Sequence, residues 1–167
     1  MKKIGVFSDS HDHELNIRKV AEIFANEKVD AVVHCGDMVS PFIFRWLAPI
    51  KEKGIPGYAV FGNNDGELQF LIKALKPYLT ITGYLNTVII GGIKIAITHG
   101  HLEELLNTLI NCGVYDVVLT GHTHKIVNEM RGKTLVVNPG ECCGYLTGKG
   151  TYAIIKFEEN KPPTTES

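Results

Sequence analysis

Short apolar runs alternate with segments of helical periodicity in the first half of the chain, and this order limits the fold more than any other feature. The runs are rich in β-branched and aromatic residues and predict strands over residues 4–7, 31–33 and 58–61. Each run is followed by a segment that predicts a helix. A strand–helix order repeated three times predicts a parallel sheet with right-handed crossovers.

The three predicted helices have recognisable starts and stops. Asp12 is the candidate cap of the first helix, and Asp65 is the expected N-cap of the third, which Pro77 stops. Ser40-Pro41 supplies a cap and a first-turn proline for the second, which is expected to run to about Ile50. The apolar faces of the first and third helices consist of Ile17, Val20, Ala21 and Phe24, and of Leu68, Leu71, Ile72 and Leu75.

The second half of the chain predicts hairpins in place of regular alternation. One hairpin is expected over 87–97 around Gly91-Gly92, and another over 126–137 around Arg131-Gly132. The remaining predicted elements are a helix over 102–110, a buried strand over 115–120 and a last strand over 152–157.

Length and charge restrict the class of protein. A chain of 167 residues, 44% of them hydrophobic, fits a single domain. We expect that domain over residues 1–160, followed by a polar tail over 161–167 that frays. The net charge is −1 and no run of lysine or arginine stands out, which weighs against binding of long nucleic acid. A small anionic substrate held by a few local positive charges is compatible with this balance.

Cysteine spacing and hydropathy favour a cytoplasmic protein without a membrane segment. The four cysteines form no C-x-x-C pair, and Cys142 and Cys143 are neighbours, which fits neither a disulfide framework nor a zinc knuckle. We expect reduced, packed thiols. The N-terminus does not resemble a signal peptide, and no apolar run approaches the roughly 20 residues of a membrane span.

Polar side chains with metal-binding chemistry follow five of the predicted strands. In open α/β sheets, ligands bind beyond the carboxyl ends of the strands, where loops from different strands converge. Two residues spaced two apart can present both side chains to the same side of an extended segment. The residues at these strand ends are Asp9 and His11, Asp37, Asn63, His99, and the pair His122 and His124.

This set of seven residues contains oxygen and imidazole groups but no thiolate. It suits Mn²⁺, Fe, Ni²⁺ or a catalytic Zn²⁺ better than a structural zinc site. Seven ligands exceed the needs of one catalytic ion, and they suit two ions about 3.5–4 Å apart that share one carboxylate. Such a pair holds a hydroxide at neutral pH and neutralises phosphate oxygens. Taken singly, the aspartates also fit turn or capping roles, Asn63 fits a turn, and His99 fits a packed core histidine.

The order of these motifs resembles that of the calcineurin-like metallophosphoesterase superfamily, and the short length is similar to that of its small archaeal and bacterial phosphodiesterases. The resemblance spans residues 4–157 and rests on Asp9-Ser10-His11, Gly36-Asp37, Gly62-Asn63, His99 and Gly121-His122-Thr123-His124. It implies an α/β fold of four layers, an αββα sandwich of two mixed sheets flanked by helices. The resemblance further implies two ligand sets bridged by Asp37: Asp9, His11 and His124 for one metal, and Asn63, His99 and His122 for the other.

Asn64 departs from the family pattern. Many relatives have a histidine directly after the ligand asparagine, where it supports the transition state and can protonate the leaving group. An amide donates hydrogen bonds but is no general acid near neutral pH. His101 and His13 are the candidate substitutes, and a solvated loop histidine is the alternative for each. The resemblance also places the loop at Asn138-Pro139-Gly140 near the site, although a plain turn explains this loop equally well.

The ligand set and the resemblance together predict a phosphodiesterase with two divalent ions, acting on small phosphodiesters. A hydroxide held by the metal pair is expected to attack phosphorus, and the leaving oxygen departs on the opposite side. Phosphomonoester hydrolysis is the alternative reaction of the same site, and a nuclease is weakened by the missing basic surface. The rival class is a non-catalytic scaffold of the retromer-subunit type, in which the metal site is damaged. Assembly as a homo-oligomer stays open.

Overall fold

Strands and helices alternate through the first half of the chain, as the sequence predicts. The structure is a computed structural model and describes residues 1–158 and 164–166. Its first elements are β1 (Lys2–Phe7), α1 (Glu14–Asn26), β2 (Ala31–His34), a 3₁₀ helix (Pro41–Leu47), α2 (Ala48–Glu52), β3 (Gly57–Ala59), α3 (Leu68–Leu75) and β4 (Thr80–Ile81). The later elements are β5 (Leu85–Ile90), β6 (Ile93–Thr98), α4 (Glu103–Asn111), β7 (Val117–Leu119), β8 (Ile126–Arg131), β9 (Thr134–Pro139), β10 (Ala153–Phe157) and β11 (Thr164–Glu166).

These strands form two mixed sheets. The first has the order β11-β10-β1-β2-β3-β4, in which β1 to β4 run parallel and β10 pairs antiparallel with both β1 and β11. The second has the order β5-β6-β7-β9-β8, in which β6, β7 and β9 run parallel and the two outer strands close antiparallel hairpins. Both predicted hairpins are therefore present. The parallel strands bring their carboxyl ends to one edge of each sheet.

Side-chain alternation along the strands separates three apolar layers. In β7, Val117 and Leu119 point into the layer between the sheets, while Val118 packs with α4 on the outer face of the second sheet. In β1, Ile4 and Val6 belong to the layer between the sheets, and Phe7 packs with the 3₁₀ helix and α1 to α3. The order of layers is helix, sheet, sheet, helix. The predicted four-layer αββα sandwich is confirmed.

Two predicted helix caps have other roles. His13, not Asp12, caps α1, and its Nδ1 atom accepts the backbone N–H of Asn16 at 3.2 Å. Glu67, not Asp65, directly precedes α3. Both aspartates instead accept hydrogen bonds from backbone N–H groups in the segment after β2.

The helix predicted after Ser40 starts as a 3₁₀ helix and becomes an α-helix only at Ala48. Pro49 explains the change, because it has no N–H to donate backwards and fits only the first turn of an α-helix. None of the helices in the described ranges has the length and apolar character needed to cross a membrane.

The C-terminal end differs from the predicted fraying tail. The backbone of Thr164–Glu166 forms β11 and pairs with β10, which would otherwise be an edge strand with unpaired backbone groups. The threonine-rich sequence of this segment suits strand pairing, because β-branched residues favour strands. The rest of the predicted tail, together with 159 and 160, lies outside the described residues.

Candidate metal centre

The carboxyl ends of five parallel strands meet along an edge shared by both sheets. The loops after β1 and β2 are joined by the N–H of Asp9, which donates to the carbonyl of Gly36 at 3.0 Å. The loops after β6 and β7 are joined by the N–H of Gly121, which donates to the carbonyl of His99 at 2.8 Å. The His99 ring then crosses between the sheets, with Nδ1 2.8 Å from the carbonyl of Cys35. These contacts bring strand ends from both halves of the chain together.

Five of the seven predicted ligands have left-handed backbone conformations. This region costs an L-residue about 1–3 kcal/mol unless the surrounding structure holds it there, and such residues concentrate at functional sites. Their φ angles range from 40° for His11 to 68° for His122. The five residues are Asp9, His11, Asp37, His122 and His124.

Two glycines of the predicted motifs allow the loops to approach the carboxylates closely. A Cβ atom on Gly62 would overlap Oδ1 of Asp37. A Cβ atom on Gly121 would overlap Oγ of Ser8 and lie 2.7 Å from Oδ2 of Asp9. Any side chain at either position would therefore displace a carboxylate from the site.

Asp9, His11 and His124 form a first group of potential ligands. One ligand atom from each lies within 4.8 Å of the others. The Nε2 atom of His124 is 3.2 Å from Oδ1 of Asp9, and the ring centroids of His11 and His124 are 5.5 Å apart. The structure thus brings together the three residues predicted for one metal.

Asp9, Asp37 and His99 form a second, overlapping group. The Nε2 atom of His99 lies 3.4 Å from Oδ2 of Asp37 and 3.9 Å from Oδ1 of Asp9. His122 joins this group through its ring, whose centroid is 5.2 Å from that of His99. Asn63 is exposed after β3, and in the described part of the chain no hydrogen bond or ion pair links its side chain to the other six residues.

The ligand atoms that face this space fit divalent metal ions. The buried atoms Asp9 Oδ1, His11 Nε2 and His99 Nε2 have no hydrogen-bond partner within the described residues, although unpartnered buried atoms are costly. Metal–ligand distances of about 2.0–2.2 Å place neighbouring ligand atoms roughly 3–3.5 Å apart. Asp37 Oδ2 has this spacing from Nε2 of both His11 and His99, at 3.5 and 3.4 Å.

Negative charge dominates the centre. Burial raises the pKa of Asp9 above its usual value. Burial also opposes ionisation of Asp37, but the neighbouring His99 and hydrogen bonds from Asn64 outweigh it and hold the pKa of Asp37 well below its usual range. Burial likewise opposes a charge on His99, yet Asp37 and Asp9 raise the pKa of this imidazole. The carboxylates therefore favour a positive group in this space, either a proton on His99 or a metal ion.

Two histidines are oriented through their second ring nitrogen. The Nδ1 atom of His99 faces the Cys35 carbonyl, and that of His124 is 2.6 Å from Oε2 of Glu141. Both partners are acceptors, so Nδ1 carries the proton and Nε2 faces the centre. Sequence reasoning missed Glu141. The available signal was a single carboxylate in the loop after Asn138-Pro139-Gly140.

Asp65 and His34 support the loop that carries Asp37, and sequence reasoning missed both roles. The Asp65 carboxylate accepts N–H groups from Met38 and Gly62, each at 2.7 Å. Nδ1 of His34 accepts the N–H of Gly36 at 3.0 Å, so its protonated Nε2 donates to Oγ of Ser10 at 2.8 Å. Burial lowers the pKa of His34 to about 3.

Comparisons with known proteins identify the family. A family model for the calcineurin-like phosphoesterase superfamily domain matches residues 1–160. The chain is 45% identical over 162 residues to a phosphodiesterase of Methanocaldococcus jannaschii, and this match covers 95% of each chain. The chain belongs to the calcineurin-like phosphoesterase superfamily.

Solved structures of the superfamily superimpose over nearly the whole chain. The structure of an archaeal phosphodiesterase matches with a TM-score of 0.87 and 44% identity and covers 98% of both chains. The phosphoesterase YfcE of E. coli matches with a TM-score of 0.70 and 26% identity, over 92% of this chain and 88% of that one. The predicted family is confirmed.

In this member of the superfamily, Asn64 contacts the Asp37 carboxylate directly. Its backbone N–H donates to Oδ1 at 2.8 Å, and its side-chain amide donates to Oδ2 at 2.7 Å. His101 lies beside the centre, with its ring centroid 5.5 Å from that of His99, and burial lowers its pKa. His13 is instead held at the start of α1 as its cap. Of the two histidines considered as acids, only His101 is packed against a predicted ligand.

Two cavities flank the loop over 144–150. One has a volume of about 410 Å³ and is bounded by His124, Lys125 and Lys149. The other, of about 460 Å³, is bounded by His13, Lys19 and Lys149. Within the described residues, no aspartate or glutamate lines either cavity. Positive charge therefore lies beside the negatively charged centre.

The loop at Asn138-Pro139-Gly140 packs against the centre and ends in buried thiols. The Asn138 amide donates to the carbonyl of Gly121 at 2.7 Å, next to the histidine pair of the β7 loop. Burial raises the pKa of Cys142 to about 12 and that of Cys143 to about 11. Both cysteines are free and protonated, in agreement with packed thiols.

Proposed function

We propose that this chain is a phosphodiesterase that hydrolyses small phosphodiesters with two divalent metal ions. The observation that carries the proposal is the set of buried, unpartnered atoms that face one another at the strand ends: Asp9 Oδ1, His11 Nε2 and His99 Nε2. A metal pair supplies the partner that such atoms need. The choice of reaction is supported by similarity to archaeal proteins described as phosphodiesterases, both in sequence and in solved structure.

Seven residues would hold the two ions, in overlapping sets. Asp37 is the proposed shared ligand, since its Oδ2 lies within 3.5 Å of a histidine from each set. When bound, two such ions lower the pKa of a coordinated water and neutralise phosphate charge. Mn²⁺, Ni²⁺, Fe and Zn²⁺ all suit the mixed oxygen and imidazole ligands. The proposed sets are Asp9, His11 and His124, and Asn63, His99 and His122, with Asp37 common to both.

The chain's other residues orient the phosphodiester around this centre. Asn64 contacts Asp37, and the ring of His101 lies next to that of His99. From these positions an amide N–H and a weakly basic imidazole can contact substrate oxygens. The cavity beside His124 offers the ammonium groups of Lys125 and Lys149 to the part of the substrate that does not react. These lysines supply the local positive charge that a chain of net charge −1 needs to bind an anion.

Three alternatives have less support. Phosphomonoester hydrolysis uses the same ligands, but the closely similar relatives are described as phosphodiesterases and not as phosphomonoesterases. A nuclease would need a longer basic surface than two small cavities provide. A scaffold of the retromer-subunit type does not need a full set of ligands, whereas all seven positions are filled here.

We also propose a cytoplasmic location, which the four free cysteines support.

Metal content and turnover of matched substrates test this proposal. The protein as purified, the protein after exhaustive chelation, and the chelated protein with Mn²⁺, Ni²⁺ or Zn²⁺ restored are assayed on bis(4-nitrophenyl) phosphate and 4-nitrophenyl phosphate. Mass spectrometry counts bound metal. We expect diester hydrolysis only with metal present, loss of both metal and activity in Asp37→Asn, and neither loss in the exposed control Asp116→Asn. Undiminished hydrolysis by metal-free protein, or none with any metal, contradicts the proposal.

A further inference from the structure

Glu141 is a buried carboxylate that contacts His124 with one oxygen and the loop over 144–150 with both. Oε2 lies 2.6 Å from Nδ1 of His124, and it also accepts the Sγ–H of Cys143 at 3.3 Å. Oε1 accepts backbone N–H groups of Leu146 and Thr147, at 3.0 and 2.5 Å, and the Leu146 N–H lies slightly farther from Oε2, at 3.2 Å. The side chain is fully buried, so these contacts replace water completely. The loop N–H groups donate to Oε1 and the Cys143 thiol donates to Oε2, so both oxygens act as acceptors, as those of an ionised carboxylate do.

The contact with Glu141 determines which nitrogen of His124 can bind a metal. A carboxylate cannot donate, so the proton of the neutral imidazole stays on Nδ1 and the lone pair stays on Nε2. That Nε2 atom is the one 3.2 Å from Oδ1 of Asp9, inside the first ligand group.

The second ligand group lacks this device. His99 is oriented by the Cys35 carbonyl, a backbone atom that no side-chain substitution removes. Within the described residues, Glu141 makes no hydrogen bond or ion pair with Asp37, His99 or His122. Any effect of Glu141 on metal binding should therefore be confined to one of the two groups.

Cys143 does not turn this cluster into a third metal site. Its thiol, together with His124 and Glu141, has the spacing of potential ligands. Burial, however, raises the pKa of Cys143 to about 11, which keeps the sulfur protonated and donating to Glu141. His124 Nδ1 is also protonated towards the same carboxylate and has no lone pair to offer, so neither it nor the neutral thiol can bind a metal here.

We propose that Glu141 is a positioning residue for the metal held by Asp9, His11 and His124, and that it has no such role for the other metal. The inference rests on the proposed two-metal function. Glu141 selects the Nδ1-protonated form of His124 and fixes the ring direction. With its other oxygen it holds the loop over 144–150, so the same carboxylate joins one metal ligand to the loop between the two cavities.

Glu141→Gln separates this role from general support of the fold. The amide keeps the size of the side chain but has only one acceptor oxygen, and its NH₂ group must face either His124 or the loop. The two loop N–H groups take the oxygen, so the NH₂ faces His124 and moves its proton to Nε2. We expect binding of one metal to weaken about 10–100-fold while binding of the other is unchanged.

Two measurements on full-length protein test the inference. Calorimetric titration of metal-free protein with Mn²⁺ gives the affinity of each site, and ¹⁵N spectra of the histidine rings give the tautomer of His124 without metal or activity. Glu129→Gln, an exposed glutamate paired with Arg131, is the matched control and should change neither. Glu141→Asp retains the charge but shortens the side chain, and it should reproduce the selective loss if Glu141→Gln does not fold.

The outcomes distinguish this inference from the proposed function. Equal weakening of both sites, unchanged affinities, or an unchanged His124 tautomer in Glu141→Gln overturns the positioning role. If the unmodified protein binds no divalent metal, the two-metal function fails. Even in that case, the tautomer of His124 measured in metal-free protein shows whether Glu141 determines which ring nitrogen is protonated.

Discussion

Asn64 presents an amide to the candidate metal centre, at a position where protonation of the departing oxygen would need an acid. Its amide is already donated to Asp37 at 2.7 Å. We expect the rate of hydrolysis to depend strongly on leaving-group acidity, with 4-nitrophenyl esters reacting far faster than alkyl esters of similar size. General-acid help is typically worth ~10²–10⁴-fold, so its absence is visible in steady-state kinetics across a leaving-group series.

Two variants decide whether an acid is missing. Asn64→His should flatten the leaving-group dependence, because the new imidazole speeds the poor leaving groups most. His101→Asn is the control, since the His101 ring lies next to His99 and could supply a proton itself. A selective loss on poor leaving groups in His101→Asn, or a flat series in the unmodified protein when chemistry limits the rate, contradicts the prediction.

His34 makes the stability of the fold depend on pH. Burial lowers the pKa of His34 to about 3, whereas an unfolded histidine titrates near 6.5. Between these values the unfolded chain binds a proton that the folded protein does not, so the free energy of unfolding falls as pH falls. One such group contributes about 1.4 kcal/mol per pH unit in this window.

The His34 contribution is measured by denaturant unfolding of metal-free protein between about pH 4 and 6. We expect His34→Gln to reduce the slope of the free energy of unfolding against pH by the equivalent of about one bound proton. Glutamine can keep the hydrogen bonds to Ser10 and Gly36 without titrating. Identical slopes in the two proteins would show that His34 is not the group responsible.

At the scale of elements, the loop after β7 can reach the loop after β1 only because position 121 has no side chain. In Gly121→Ala the new methyl group would overlap Ser8 Oγ and press on Asp9 Oδ2. We expect a loss of about 1–3 kcal/mol in the free energy of unfolding, together with weaker metal binding. Denaturant unfolding and metal titration measure the two effects.

Gly66→Ala is the matched control for Gly121→Ala. A Cβ atom at Gly66 meets no atom within 4 Å, and its φ angle is not in the left-handed region. This variant should keep native stability and metal affinity. Similar losses in both variants would mean that glycine itself, and not close approach to Asp9, explains the effect.

The sequence predicts elements whose apolar pattern is continuous and misses those that depend on distant partners. The strands ending near Phe7, Val33 and Leu119 are buried and rich in β-branched residues, so their positions follow from the pattern. β4 and β11 span only two and three residues, and they form by pairing with a neighbouring strand. The predicted caps were wrong for the same reason, because Asp12 and Asp65 accept N–H groups that are 26 to 28 residues away.

The candidate site shows the same division. Residue types at strand ends predicted which groups could be ligands, and the structure brings Asp9, His11 and His124 within reach of one another. A carboxylate at Glu141 is visible in the sequence, but its contact with His124 is not, because the two residues are 17 positions apart and meet only in the packed loops. Orientation of a ligand is a property of the packed loops, and no local pattern encodes it.

At the scale of the whole molecule, charge is unevenly distributed around the centre. The chain has 17 basic and 18 acidic residues, yet within the described residues both cavities beside the loop over 144–150 are lined by lysine and histidine without any acid. In the same part of the chain, neither Lys125 nor Lys149 has a carboxylate within salt-bridge distance. Unpaired cations beside a phosphate-binding centre attract the negative charge of a substrate over several ångströms.

Lys149 lines both cavities, so its removal should change binding of anionic substrates most. For Lys149→Ala we expect KM to rise up to about fivefold for a diester that carries a second phosphate, since one exposed charge contributes at most about 1 kcal/mol. KM for bis(4-nitrophenyl) phosphate, which has no second charge, should hardly change, and kcat should stay the same for both. The difference between the substrates should shrink as ionic strength rises, because salt screens exposed charges.

Lys133→Ala is the matched control for Lys149→Ala, because it removes an exposed lysine from the turn between β8 and β9, away from both cavities. It should leave KM unchanged for both substrates, since the net charge of the protein changes equally in the two variants. Equal increases in KM for Lys133→Ala and Lys149→Ala would mean that overall charge attracts the substrate. An effect confined to Lys149 and to the more anionic diester would show that the cavities beside the loop recognise the non-reacting part of the substrate.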